Sequence, residues 1–329
     1  MKVLVTGATG FLGSWLTRRL VQSDLDVRVL CRPTSDLADL EGLRYEKALG
    51  DVTDFESLKR AAAGVDTVFH LAGVIAYTKS ERAQMNRVNI DGTEHAVRAC
   101  IENGVRRLVH MSSVVAVGAS LDGKVPLNEN SQFNLSHWNL GYCETKKRGE
   151  EIVVEATRTR GLDAVILNPA TVYGGGDAKK GSRKTQLKVA QGRFPFYTPG
   201  GVNIVAVDDV VEATIKAWQI GKSGERYILG GENVTIKKLF ELIAQAAGVA
   251  APRWYLPKPV LTSLGKFGDL LEARGKKISF NSEAARMAVM YHWFDSAKAQ
   301  RELALKVTPA EVSIGNSVGW MKEQGLLGI

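Results

Sequence analysis

The chain has 329 residues, of which 45% are hydrophobic and 24% charged, with a net charge of +8 at pH 7. That length and apolar content allow one large or two modest globular domains with a sizeable core. The three cysteines, Cys31, Cys100 and Cys143, lie far apart without a CxxC, which argues against a disulfide framework or cysteine metal site and suits a reducing, cytoplasmic compartment.

The chain opens on Lys2-Val3-Leu4-Val5, an apolar run of strand type, where a leader peptide would show a basic segment followed by a longer apolar one. It passes into Thr6-Gly7-Ala8-Thr9-Gly10-Phe11-Leu12-Gly13 and then a helical pattern from Trp15 to Val21. Strand, glycine-rich turn and helix in that order are the context of a dinucleotide-phosphate site. Gly7 permits the tight turn, Gly10 lets backbone approach a pyrophosphate, and Gly13 lets helix and strand pack closely. Thr9, Gly10, Phe11 and Leu12 carry the loop into the helix N-terminus, whose free N–H groups favour phosphate.

Further strands are expected at 27–31, 44–48, 67–71, 108–112 and 164–168, with helices at 11–22, 55–63, 83–103 and 142–159. Strands alternating with helices imply an α/β fold with a doubly wound parallel sheet. After Pro169 a loop rich in glycine and lysine (174–181) opens a less regular region. Residues 204–207 and 208–220 read as a strand and helix returning to the sheet, and 226–229 as another strand. Helices follow at 236–247, 259–273, 282–290, 296–302 and 309–324. The expected division is a dinucleotide-binding domain over 1–170, joined by 204–225, and a smaller, mostly helical substrate lobe over 171–203 and 226–329. No stretch of about 18 uncharged apolar residues occurs, so no spanning helix is expected.

The second strand ends in Arg32-Pro33-Thr34-Ser35. An acidic residue there bonds the ribose of NAD, and an Arg accommodates the 2′-phosphate of NADP. Arg32 therefore favours NADP(H) over NAD(H), although Asp36 stands close enough to turn toward a ribose. Asp51 and Val52, after the third strand, are placed to meet the adenine. Asp51 could equally cap the following helix.

Tyr142 and Lys146 are separated by one helical turn and share a face. The Lys ammonium, together with the positive nicotinamide ring of an oxidised cofactor, favours phenolate, which would lower the Tyr142 pKa and let it exchange a proton with a carbonyl or carbinol oxygen. Ser112 and Ser113 end the fifth strand, where ligands of such sheets bind. Asn89, on the preceding helix, could anchor a water in a proton relay.

TGATGFLG, GDVTD, HLAG, VNxxGT, the paired serines, YCETK, NPATVYGGGD and VDDVVEA occur in the order and approximate spacing of one family. Over essentially its whole length the chain resembles the extended short-chain dehydrogenase/reductases, also called the NAD-dependent epimerase/dehydratase family. The resemblance implies a Rossmann fold and a catalytic set of Ser113, Tyr142 and Lys146, supported by Asn89. It implies that Leu71, Ala72 and Gly73 line the cofactor, that Pro169, Ala170, Thr171 and Val172 flank the nicotinamide, and that Lys146 also bonds its ribose. It further implies homodimerisation through the helices at 83–103 and 142–159. RPTSDL and ERYILGGENVTIKKLFELI look most like two groups, dihydroflavonol 4-reductase-like reductases and hopanoid-associated sugar epimerases.

Sugar-nucleotide members usually carry an Arg just before an I-H-V-x-D stretch. Here Gly201 to Asp208 has no such Arg, and Ala206 takes the His position. A diphosphate normally needs that charge-assisted partner. The acidic pair of dehydratases is replaced by Val114-Val115-Ala116. The expected activity is thus an NADP(H)-dependent reduction or oxidation of an apolar, sterol- or isoprenoid-like small molecule; the alternative is an NAD-dependent nucleotide-sugar epimerase.

His70, His95, His110, His137 and His292 show no ligand spacing, so no metal is expected. Basic clusters at Arg106-Arg107, Lys146-Lys147-Arg148, Lys179-Lys180, Arg183-Lys184 and Lys276-Lys277 are scattered and carry no nucleic-acid motif. Lys179, Lys180, Arg183 and Lys184 read as a mobile solvated loop, with contact to an anionic substrate as the sharper reading. Trp254 to Pro257 and the amphipathic 259–273 stretch could wall an apolar pocket, touch a membrane surface or pack the small lobe.

Overall fold

Val3, Leu4 and Val5 alternate between two apolar layers, and that alternation builds the large sheet. In the computed structural model, which describes residues 1–178, 183–276, 278 and 280–328, the elements run β1 (Lys2–Thr6), α1 (Phe11–Val21), β2 (Asp26–Cys31), β3 (Glu46–Leu49), α2 (Phe55–Ala62), β4 (Thr67–His70), α3 (Arg82–Met85), α4 (Gly92–Glu102), β5 (Arg107–Met111), α5 (Gly141–Thr159) and β6 (Ala164–Pro169). The second half contains β7 (Thr171–Tyr173), α6 (Lys184–Ala190), β8 (Phe196–Tyr197), β9 (Gly201–Ala206), α7 (Val207–Ile220), β10 (Arg226–Leu229), β11 (Glu232–Thr235), α8 (Ile236–Ala247), β12 (Trp254–Tyr255), α9 (Lys258–Ala273), α10 (Ser282–Met287), β13 (Tyr291–His292), α11 (Ala297–Leu303) and α12 (Ala310–Glu323).

Seven parallel strands form the large sheet in the order β10-β6-β5-β4-β1-β2-β3. Val3, Val5, Val29, Phe69 and Val109 pack with Leu16 and Leu20 of α1 and Val210 and Val211 of α7. Leu4, Leu30, Val68 and Leu108 face the other way, onto Leu58 of α2, Val97 of α4 and Val153 of α5. Both faces are covered, as a parallel sheet requires. The strand order reverses between β1 and β4, and the carboxyl ends of strands at such a switch point form a ligand crevice.

The sequence sends the 204–207 strand back to this sheet. Instead β9 is the centre of a second sheet, antiparallel to β11 and parallel to β7 and β13, and only α7 returns to the large one. β10, assigned from sequence to the small lobe, is the edge strand beside β6. Four residues are too few for periodicity to say which sheet a strand joins. The long 83–103 helix is also interrupted: a π-turn at Asn86–Asp91 separates α3 from α4.

Candidate active site

The N-terminal loop has no room for side chains at two glycines. Gly7 has φ +72°, and a Cβ there would lie 2.6 Å from the Ala72 nitrogen; one at Gly13 would lie 2.1 Å from the Gly7 oxygen. The loop is closed by Gly10 N–H donating to the Gly7 carbonyl and Ser14 N–H to the Gly10 carbonyl, each at 2.9 Å. Gly10 caps α1 without a side chain, and the first turn carries no acid. The first N–H groups of α1, from Phe11 and Leu12 onward, therefore have no intrahelical acceptor, and Thr9 stands in the turn before them. This cradle fits a dinucleotide phosphate. Beside it, Leu71 N–H donates to the Thr6 carbonyl at 3.1 Å and Ala72 N–H to the Thr6 hydroxyl at 3.3 Å.

At the far end of the crevice Arg32 projects from the tip of β2, 62% exposed, with Nε 4.0 Å from Asp51 Oδ2. Asp51 also accepts from the Thr53 N–H and hydroxyl, both at 2.9 Å. Asp36 does not turn toward a ribose; its carboxylate accepts from Ala38 N–H at 3.0 Å, in a local turn. Val52 is buried under α4, and its carbonyl accepts from the His95 ring at 2.8 Å.

The two serines after β5 have different roles. Ser112 is buried and donates to Glu150 at 2.9 Å. Ser113 is partly exposed, accepts from Val115 N–H at 3.4 Å, and stands near enough to Tyr142 to favour its ionised form. Tyr142 and Lys146 follow on the buried face of α5, and the Lys146 ammonium donates to the Met111 carbonyl at 2.8 Å. A Cβ at Gly73 would lie 3.5 Å from both Lys146 Nζ and Asn89 Oδ1, so the 71–73 turn meets Lys146 and Asn89. Asn89 Oδ1 accepts from Val74 N–H at 2.8 Å, while its amide donates to the Val74 carbonyl at 2.9 Å and to Thr145 at 3.0 Å. Both amide donors of Asn89 are thus committed to protein, and they tie Val74 in the loop after β4 to Thr145 of α5.

The electrostatics correct one expectation. Burial raises the Tyr142 phenol well above its ordinary value, nearby Tyr77 adds to this, and only Ser113 opposes it strongly enough to register. Burial also lowers Lys146 to about 8, against the pull of Glu150. Burial is thus the largest influence on the phenol, and it favours the neutral form. His70 is lowered to about 3 by burial and by Lys146; its ring meets Thr6 at 2.9 Å and Thr93 at 3.4 Å, and it stacks on His110.

One further buried acid completes this face of α5. Glu150 lies a turn beyond Lys146 and is 2% exposed. It accepts from Ser112, from Asn168 at 2.8 Å and from Arg226 at 3.0 Å. The other Asn168 hydrogen goes to the Ser113 carbonyl at 2.9 Å. The Tyr142-Lys146-Glu150 spacing is a local signal for a third residue on this face. Its partners come from the end of β5, from β6 and from β10, which no local pattern reveals.

Pro169 ends β6 and Thr171 and Val172 begin β7, partly exposed at the carboxyl edge of the sheet. Arg183 does not belong to a solvated loop. It is buried, donates to the Val172 carbonyl, lies 3.5 Å from Asp177 and stacks 3.9 Å from the Tyr173 ring centre. That guanidinium is committed to protein. Lys179 and Lys180 lie outside the described residues. Among the described residues no His, Cys, Asp or Glu cluster suits a metal ion, and no helix is long and apolar enough to cross a membrane.

Sheet order, glycine cradle and strand-end site together define an NAD(P)-dependent enzyme of the extended short-chain dehydrogenase/reductase type. The chain belongs to the 3-beta hydroxysteroid dehydrogenase/isomerase family, whose model matches residues 4–226. It is similar to sterol demethylase protein B of Methylococcus capsulatus, at 34% identity over 99% of this chain and 100% of the relative. A putative dihydroflavonol 4-reductase of Synechocystis is 29% identical, over 98% of this chain and 94% of the relative. The solved structure of gox2253 superposes with a TM-score of 0.88 at 35% identity, covering 99% of both chains. At 22% identity, the dTDP-glucose 4,6-dehydratase DesIV of Streptomyces venezuelae, solved with NAD, shares the fold with a TM-score of 0.81, over 99% of this chain and 98% of that one.

Proposed function

We propose that this enzyme transfers hydride between NADP(H) and the ketone, aldehyde or secondary alcohol of an apolar, sterol- or isoprenoid-like substrate. The observation that carries the reading is the setting of Tyr142. Its ring packs among Ala76, Met85, Val115, Leu140 and Met290, with Val74 and Met287 beside them. This apolar setting around the phenol supports a hydrocarbon substrate over one that carries a diphosphate. The resemblance to a protein named for sterol demethylation agrees with it.

Nicotinamide, when bound, supplies or accepts the hydride. The residues of the chain do the rest. Gly7, Gly10 and the α1 N-terminus hold the phosphates, and the 71–73 turn and residues 169–172 border the nicotinamide end. Arg32 favours a 2′-phosphate by charge. Ser113 holds the substrate oxygen, Tyr142 donates the proton to it during reduction, and Lys146 positions the ribose. Residues 171–203 and much of 226–329 form the substrate lobe over this mouth, with β10 excepted.

The test is nucleotide oxidation by the purified full chain with sterol ketones, isoprenoid ketones and uridine diphosphate sugars. NADPH-dependent turnover of the apolar ketones is expected. Epimerised sugar, with NAD retained through purification, would replace this reading with the epimerase one.

A further inference from the structure

We propose that the outer face of α9, together with the β8–β12 ribbon leading into it, docks on a lipid bilayer that carries anionic headgroups. At about 100° per residue, Val260, Leu264, Phe267, Leu270 and Leu271 fall within an arc of about 120°. All but the last are exposed, Phe267 at 58%. Just before the helix, Trp254 is 67% exposed, and Tyr255 and Phe196 stand beside it on the paired strands. The sequence allows this stretch to pack the small lobe; the structure buries only its inner face.

That inner face is built to lie flat. A Cβ at Gly268 would stand 2.1 Å from the Phe280 carbonyl, and one at Gly265 2.9 Å from Ala285. The two acids of α9 also point inward. Asp269 accepts from Ser282 N–H at 3.1 Å, and Glu272 accepts from Lys79 N–H at 2.8 Å and Asn281 at 3.4 Å. Arg253, Lys258, Lys266, Arg274 and Lys276 are exposed on α9 and the segments that flank it. None of them joins an ion pair among the described residues.

An apolar stripe with aromatic residues at one end and cations on the same helix and its flanks is the composition of an interfacial helix. Trp and Tyr suit the headgroup depth, and the cations match anionic lipid. A second copy of the chain is a poor occupant, because a two-fold contact would set these cations against themselves. The surface also lies close to the site. Glu272 holds the loop that presents Tyr77 edge-on to Tyr142, with ring centres 6.3 Å apart, and Met287 of α10 touches Cys143 at 3.8 Å. A bilayer-dissolved molecule would have a short path to the phenol. The docking stands apart from the substrate reading: vesicle binding tests the one and hydride transfer the other.

The experiment is co-sedimentation of the full chain with phosphatidylcholine vesicles, with and without phosphatidylglycerol, over a salt series. Binding should require the anionic lipid and weaken with salt. The double variant L264E/F267E should lower vesicle partition by about tenfold or more, with an unchanged circular-dichroism melt, and K258E/K266E should remove the preference for anionic lipid. Wild-type protein that binds neither vesicle would overturn the proposal. So would equal binding by L264E/F267E, or a dimer that this variant splits while neither protein binds vesicles.

Discussion

Lys146 and Glu150 stand one turn apart on the buried face of α5, and the carboxylate opposes the burial that pulls the ammonium down to about 8. Lys146 therefore loses its charge close to neutral pH, and activity that needs this charge falls as pH rises through that value. Glu150→Gln should lower the Lys146 pKa further and move the alkaline limb of kcat/KM to lower pH. It should also cost about 3 kcal/mol of stability by leaving Arg226 without its buried partner. A pH–rate profile read beside a urea titration checks both, and an alkaline limb that stays put refutes the coupling.

Tyr142→Phe removes the proposed proton donor while keeping the ring in its apolar cluster. The expected result is a fall in kcat of about 10²–10⁴-fold, the usual range for general acid catalysis, with NADPH affinity unchanged by fluorescence titration. Substantial turnover in the variant would show that the proton comes from elsewhere.

Arg32→Ser tests the cofactor. A charge-assisted hydrogen bond contributes about 1.5–3 kcal/mol when well made, and Arg32 is largely exposed, so the lower end applies. NADPH should bind about tenfold more weakly, with NADH little changed. Paired titrations read the difference. Equal losses for both nucleotides would mean that Arg32 does not discriminate.

Gly13→Ala places a methyl group 2.1 Å from the Gly7 carbonyl. Backbone must move to admit it, at about 1–3 kcal/mol for overpacking, and the phosphate cradle moves with it. Thermal unfolding with and without nucleotide should show a lower midpoint and a smaller ligand-induced rise. A midpoint equal to wild type would mean that the loop is looser than its contacts indicate.

Acid should destabilise the fold through its histidines. His70 is held at about 3 against an ordinary value of 6.5, and His110 and His292 are lowered as well, all chiefly by burial. The folded chain keeps these rings neutral, while the unfolded chain protonates them below its ordinary value. For His70, stability is thus fully present above pH 6.5 and is lost as pH falls from there toward 3, by about 1.4 kcal/mol per pH unit, and His110 and His292 act in the same direction. Urea midpoints should fall across this window, with a shallower slope in His70→Asn. An unchanged slope in that variant would remove His70 from the account.

Much of this was legible in the sequence because its signals are local. The strand, glycine turn and helix at 2–21 occupy consecutive positions, and Tyr142 and Lys146 share a helix face by spacing alone. The misassigned pieces depend on distant partners. β9 and β10 are both short apolar runs, and only pairing with β11 or β6 separates them. Glu150 is an ordinary surface-type residue until Arg226, 76 positions later, encloses it. The upward shift at the Tyr142 phenol follows from burial by several segments, whereas the spacing of Tyr and Lys speaks only of their attraction.

The chain does not finish one sheet before beginning the other. It leaves the large sheet after β6, builds β7 and β9 in the small one, comes back with α7 and β10, and departs again at β11. Cutting at the apparent boundary near residue 170 would strip the seven-stranded sheet of its β10 edge and uncover the side that α7 protects. The two halves should therefore melt as one cooperative unit, and an isolated N-terminal fragment should behave as a partly collapsed, aggregation-prone chain.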